Sequence, residues 1–192
     1  MNIREYINNE FKTVIDALTD TINNEYDLEM LEKIATVMAK QLNNGYKIIW
    51  FGNGGSAADA QHLAAELVGR FRTERKALPS IAITVNSSVI TALSNDYDFS
   101  MIFSRQIEAL CNEEDVCVGI STSGKSENVI NGLIKAKEKK AITIGFTGAN
   151  GKSMGDFVDH LFVARAAETS HIQEEHIVAG HIICGIVEKL II

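Results

Sequence analysis

KIIWFGNGGSAADAQHLAAEL, residues 47–67, is the stretch on which the fold turns. Its first five residues are a short apolar, β-branched run of the kind that forms a strand buried on both faces. Glycines end the run, and AADAQHLAAEL then reads as a helix. Four similar runs follow at SIAITV (80–85), DVCVGI (115–120), AITIGF (141–146) and HLFVAR (160–165), separated by helix-like stretches. This alternation specifies an α/β fold: a doubly wound, mostly parallel five-stranded sheet with helices on both faces.

Upstream, residues 1–44 place Ile3, Ile7, Phe11, Val14, Leu18 and Ile22, then Leu28, Leu31, Ile34, Met38 and Leu42, at helical spacing. They predict an N-terminal helical pair, ended by Asn44-Gly45. The apolar stripe of that pair can cover its own sheet or meet another chain. With 192 residues, one proline and no linker or repeat, the chain reads as a single domain over 1–192, its α/β core in 45–192.

A net charge of −7 without a Lys/Arg cluster excludes extended nucleic acid and anionic membrane as expected partners. Cys111, Cys117 and Cys184 are odd in number and form no CxxC, which reads as a reducing compartment. The opening MNIREYINNEF lacks the apolar core of a secretion signal, and no apolar window is long enough to span a bilayer. The expected location is the cytoplasm.

Two glycine-rich loops carry the first chemistry. GISTSGKSENV, residues 119–129, gathers the hydroxyls of Ser121, Thr122, Ser123 and Ser126 where a strand enters a helix. Free N–H groups and the helix dipole there favour a phosphate; the plainer alternative is a serine cap. Gly119-x4-Gly124-Lys125-Ser126 also satisfies the P-loop pattern, but no strand ends in the aspartate a nucleoside-triphosphatase needs for its metal. Gly52-x-Gly54-x-x-Ala57 matches a dinucleotide fingerprint but lacks an acid at the end of the next strand. Its glycines better suit a sugar lying against the backbone, with Asn53 bonding a hydroxyl.

Further along, His62 and Glu66 lie four apart on one helix face, and Gln173 and His181 share a stripe of the last helix. Two histidines, a glutamate and an amide oxygen suit a borderline divalent ion such as zinc. Spacing alone leaves open the reading of surface pairs facing solvent.

With GNGGSAADAQHLAAELVGRF, Ser94-Asn95-Asp96, EDVCVGISTSGKS and IQEEHIVAGHIICGIVE in view, the chain resembles, nearly end to end, the sugar isomerase (SIS) domain family, and within it the phosphoheptose isomerases. The resemblance implies a homotetramer with active sites between subunits and one zinc per subunit, held by His62, Glu66, Gln173 and His181. It implies conversion of D-sedoheptulose 7-phosphate to D-glycero-D-manno-heptose 7-phosphate, the entry to activated heptoses for surface polysaccharide. Asn53, Gly54, Gly55, Asn95 and Asp96 would then contact the sugar, and Ser121, Thr122, Ser123 and Ser126 the phosphate. A ketose–aldose exchange through an enediol needs one base and one acid, roles given to Glu66 and His181, with Gln173 positioning substrate and Asp59 either positioning His62 or standing exposed in the first turn of its helix.

The chain departs from the pattern at two places: Ser170-His171 stands where relatives often carry an acid before Ile-Gln, and Lys125 replaces the usual Asn. The competing functions are a non-catalytic SIS regulator that binds a replication initiator, or an isomerase for another sugar phosphate. The first predicts loss of the ligand set, which this chain retains.

Overall fold

The computed structural model describes residues 1–191. β1 (Ile48–Gly52), β2 (Ser80–Ala82), β3 (Val116–Ile120), β4 (Ile142–Gly148) and β5 (His160–Ala164) form a sheet in the order β2-β1-β3-β4-β5. Every pairing is parallel, where the sequence predicted a mostly parallel sheet.

Successive side chains of a strand point to opposite faces. Ile48 and Trp50 of β1 therefore enter one core, and Ile49 and Phe51 the other. On the first face lie α2 (Glu25–Asn43), α3 (Gly55–Val68) and α7 (Thr169–Ile191); on the second, α5 (Ser104–Leu110) and α6 (Glu127–Glu138). The strand order reverses between β1 and β3, whose last rung pairs Gly52 with Ile120. A reversal of this kind opens a crevice beyond the carboxyl ends of the strands, where doubly wound folds bind ligands. The two glycine-rich loops start side by side at that point.

At the sheet edge, β2 stops at Ala82 rather than running to Val85 as the apolar pattern predicted. An edge strand has one neighbour to hold it, and here Asn86 already caps α4 (Ser87–Asp96) by accepting the Val89 N–H.

The two alternatives for the N-terminal pair divide between its helices. The α2 stripe, with Leu31, Ile34, Met38 and Leu42, is buried against the protein's own sheet and α7. Outside it, α1 (Ile3–Ile22) buries Ala17 but leaves Ile3, Ile7, Phe11, Ile15 and Ile22 exposed. All three cysteines are free and buried, with Cys111 and Cys117 Sγ 3.6 Å apart.

His176 of α7 is fully buried, its ring edge-on to Phe146 and Phe162, and neither ring nitrogen makes an aligned hydrogen bond among the described residues. Burial pushes its pKa down to about 4, against a weaker opposing contact from the Thr147 backbone. A histidine whose folded pKa lies below its unfolded value of about 6.5 withdraws stability as pH falls through that window. Between pH 7 and 5 this amounts to about 2 kcal/mol. Urea denaturation at the two pH values should show that much less acid sensitivity in His176→Leu than in the wild-type protein; equal sensitivity would mean that folding does not lower the His176 pKa.

Candidate active site

The site begins where α3 and α7 cross. Gly180 of α7 packs on Leu63 of α3 so closely that a Cβ at residue 180 would stand 2.6 Å from the leucine methyl. At the other end, Gly55 opens α3 beneath the Gln173 amide, and a Cβ there would come within 2.6 Å of Oε1. Glycine at both positions lets the helices approach further than any side chain would allow.

That approach brings three predicted residues together. His62 Nε2 lies 2.8 Å from His181 Nε2 and 3.2 Å from Glu66 Oε1, and the three donor atoms all fall within 4.8 Å of one another. Glu66 and His181 are half-buried and His62 is exposed. Two imidazole nitrogens at this distance either share one proton or face a common cation. Two nitrogens and a carboxylate oxygen are a donor set that zinc favours, at a spacing slightly tighter than the roughly 3.3 Å around a tetrahedral ion. The residues present therefore fit a divalent metal.

Gln173 stands apart from these three. Its Nε2 donates to Asp59 Oδ1 at 3.0 Å, a turn nearer the start of α3. Asp59, expected to orient His62 or to be exposed, is buried and bonded to Gln173 instead. Burial raises its pKa, while the Gln173 hydrogen bond and the neighbouring His62 and His181 work the other way. His171, just before the motif, is buried between Glu174 at 2.8 Å and Glu10 of α1 at 3.1 Å, and the Glu174 hydrogen bond raises its pKa.

Across the crevice, the serine loop discriminates between its two readings. Ser126 occupies the cap position of α6 but makes no cap hydrogen bond among the described residues. Its hydroxyl turns to Ser121 Oγ at 3.0 Å, with Ser123 Oγ 3.5 Å from Ser121. In the first turn of α6 the Val129 N–H is taken by Asn128 Oδ1, while the Glu127 and Asn128 N–H groups have no partner among the described residues and stand beside clustered hydroxyls, an arrangement that suits an anion. Gly124 makes the turn at φ 63°. The P-loop match is accidental in space as well, since Gly119 sits inside β3, paired with Phe51 and Gly145. Lys125 is exposed.

Asn53 is less free than its loop position predicted. It exchanges two hydrogen bonds, of 2.8 and 2.9 Å, with the buried Asn128 of α6, leaving one N–H and one lone pair. This clasp ties the glycine loop to the serine loop. Sequence reasoning missed Asn128, although an amide in the first turn of a helix that follows a hydroxyl-rich loop was a visible signal. Gly54, open on its Cβ side, lines a cleft with Asn53, Ala57, Thr84 and Phe99. Asn95 and Asp96 end α4 on the surface, where the Asn95 amide donates to Asp96.

The sequence matches the SIS domain family over residues 10–148. It is 52% identical over 163 residues to a phosphoheptose isomerase of Aquifex aeolicus, covering 85% of each chain. With a phosphoheptose isomerase of Clostridium acetobutylicum it shares 44% identity, over 97% of this chain and 95% of that one. The solved phosphoheptose isomerase GmhA of Neisseria gonorrhoeae superposes with a TM-score of 0.91 at 37% identity, over 98% of this chain and 100% of that one. The fold is that of a sugar isomerase domain. The chain belongs to the SIS domain family and, within it, to the phosphoheptose isomerases.

If the Ser126 hydroxyl serves the loop rather than the helix, Ser126→Ala changes stability by less than about 0.5 kcal/mol. A capping serine would cost about 1 kcal/mol, a difference that urea titration followed by circular dichroism resolves.

Proposed function

We propose that this protein converts D-sedoheptulose 7-phosphate to D-glycero-D-manno-heptose 7-phosphate, supplying activated heptose synthesis for surface polysaccharide. The observation that carries the reading is the convergence of His62, Glu66 and His181 at the α3–α7 crossing. The names of its relatives support the substrate.

In this reading the hydroxyls of Ser121, Thr122, Ser123 and Ser126 and the free N–H groups of α6 bind the phosphate. The backbone at Gly54 and Gly55, the remaining donor and acceptor of Asn53, and Asn95 and Asp96 bind sugar hydroxyls. Glu66 then removes a proton from C1 of the open-chain ketose as His181 protonates the carbonyl oxygen on C2, which gives the enediol. Return of a proton to C2 and loss of the O1 proton complete the aldose, with no net gain or loss of atoms. Glu66 Oε1 faces His62, while Oε2 has no partner among the described residues and is the oxygen free to accept the proton.

Zinc, one per subunit, would be held by His62, Glu66 and His181, with Gln173 as the fourth ligand once its amide leaves Asp59. When bound, it supplies Lewis acidity toward the sugar oxygens. A ring nitrogen that holds an ion cannot give up a proton in the same step, so the metal and acid roles of His181 are alternatives at Nε2. A single SIS domain spanning residues 1–192, assembled as a cytoplasmic homotetramer with its active sites between subunits, completes the reading. The exposed apolar stripe of α1 and the free cysteines support that assembly and location.

Proton NMR in D2O of the zinc-loaded protein with sedoheptulose 7-phosphate should show the aldose with deuterium at C2. Glu66→Gln should lose about 10²–10⁴-fold in turnover. Chelation should abolish turnover if His181 serves as a ligand, and leave it if His181 serves as the acid. No aldose from the folded, metal-loaded wild-type protein would sink this function. In light scattering, Phe11→Asp should reduce the assembly below a tetramer; an unchanged mass would exclude α1 from the interface.

A further inference from the structure

The chain between the end of α3 and β2, residues 69–79, forms neither helix nor strand. It is rich in charge, yet it is held firmly. Glu188 of α7, only 3% exposed, accepts the N–H groups of Phe71 (3.2 Å), Arg72 (3.0 Å) and Thr73 (3.0 Å). Arg75 lies 3.3 Å from the same carboxylate. Its guanidinium donates to the carbonyls of Glu66, Leu67 and Gly69, so it satisfies the carboxyl end of α3 as well. A buried ion pair adds little stability over an apolar pair of the same volume. What this one secures is position.

The residue it positions is Phe71. The phenyl ring stacks on the His181 imidazole with centroids 5.5 Å apart and planes 20° from parallel. Arg72 lies 4.9 Å from the centroid of the same phenyl ring. His62 meets His181 edge-on, with centroids 5.0 Å apart. A histidine that binds metal usually has its ring fixed by a hydrogen bond from its other nitrogen to a carboxylate or carbonyl. No described residue bonds His181 Nδ1, so packing has to do what that bond does elsewhere. Phe71 is the side chain stacked on the ring face.

We infer that Phe71, held by the Glu188–Arg75 clamp, is a positioning residue that orients the His181 imidazole toward His62 and Glu66. The inference rests on the roles proposed for His181, and it reaches beyond them in assigning the loop after α3 a part in the site.

Three variants test it: Phe71→Ala, Phe71→Tyr, which keeps the ring, and His181→Gln, which assigns the His181 resonances in protein labelled at histidine carbons. The metal-free wild-type protein should show His181 ring protons displaced upfield by the phenyl ring. Phe71→Ala should lose that displacement, and Phe71→Tyr should keep it. In competition with a chelating dye, Phe71→Ala should bind zinc about 10–100-fold more weakly, the usual cost of losing an orienting neighbour, with Phe71→Tyr close to wild type. Turnover should follow, with kcat falling by more than KM rises. Wild-type zinc affinity in Phe71→Ala overturns the proposal. If the wild-type protein binds no zinc and turns over no sugar, the proposed function fails by itself, and the His181 resonances decide: in that case their insensitivity to Phe71→Ala overturns the positioning role.

Discussion

The site depends on how closely α3 and α7 approach. Two helices ordinarily pack with axes 8–10 Å apart, the distance being set by the side chains between them. Here the contact is built from small residues: Gly180 against Leu63, Gly55 beneath Gln173, with Ala60, Ala64 and Ala179 buried nearby. His62 and His181 project from the two sides of this seam, and their 2.8 Å separation follows from it. Bulk at Gly180 would move a whole helix, and the donor atoms with it, because a packed core transmits displacement rather than absorbing it.

α7 also anchors the chain around the site through two buried carboxylates. Near its start, Glu175 accepts the N–H groups of Arg165 and Ala166 and the Thr21 hydroxyl, joining the exit of β5 to α1. Near its end, Glu188 gathers three N–H groups of the loop after α3. Each acid serves backbone groups that would otherwise be stranded away from water, an arrangement that repays burial of the charge. One helix thus carries residues proposed for the reaction and residues that hold the neighbouring loops in register with it.

This division explains what the sequence disclosed. The strands were legible because a parallel sheet covered on both faces demands unbroken apolar runs, and the serine loop because four hydroxyls between a strand and a helix have few other uses. His62, Glu66 and His181 were legible as helix-face neighbours, but their convergence was not, since periodicity gives the face of a helix and says nothing of the depth to which two faces interlock. Of the glycines that set this depth, Gly55 read as part of a sugar-contacting loop and Gly180 carried no signal of its own. Asp59 read either as an orienter of His62 or as a first-turn surface acid, and its burial beneath Gln173 shows only in space, as does the Asn128 clasp across the crevice. The shortness of β2 escaped notice because Ile83, Thr84 and Val85 have strand character whether or not a neighbour is there to pair with them.

The exposure of His62 bears on the chemistry. An enediol is protonated readily by water at either carbon, so an isomerase has to keep bulk solvent from the reacting atoms. In one chain, Phe71 covers a face of His181 while His62 remains open. The apolar side chains of α1, Ile3, Ile7, Phe11 and Ile15, face away from the core of their own chain. Under the proposed assembly, a second subunit would cover α1 and close the open side of His62, Glu66 and His181. Catalytic competence would then require association, with the water-excluding wall supplied by the neighbour and the donors by the chain itself.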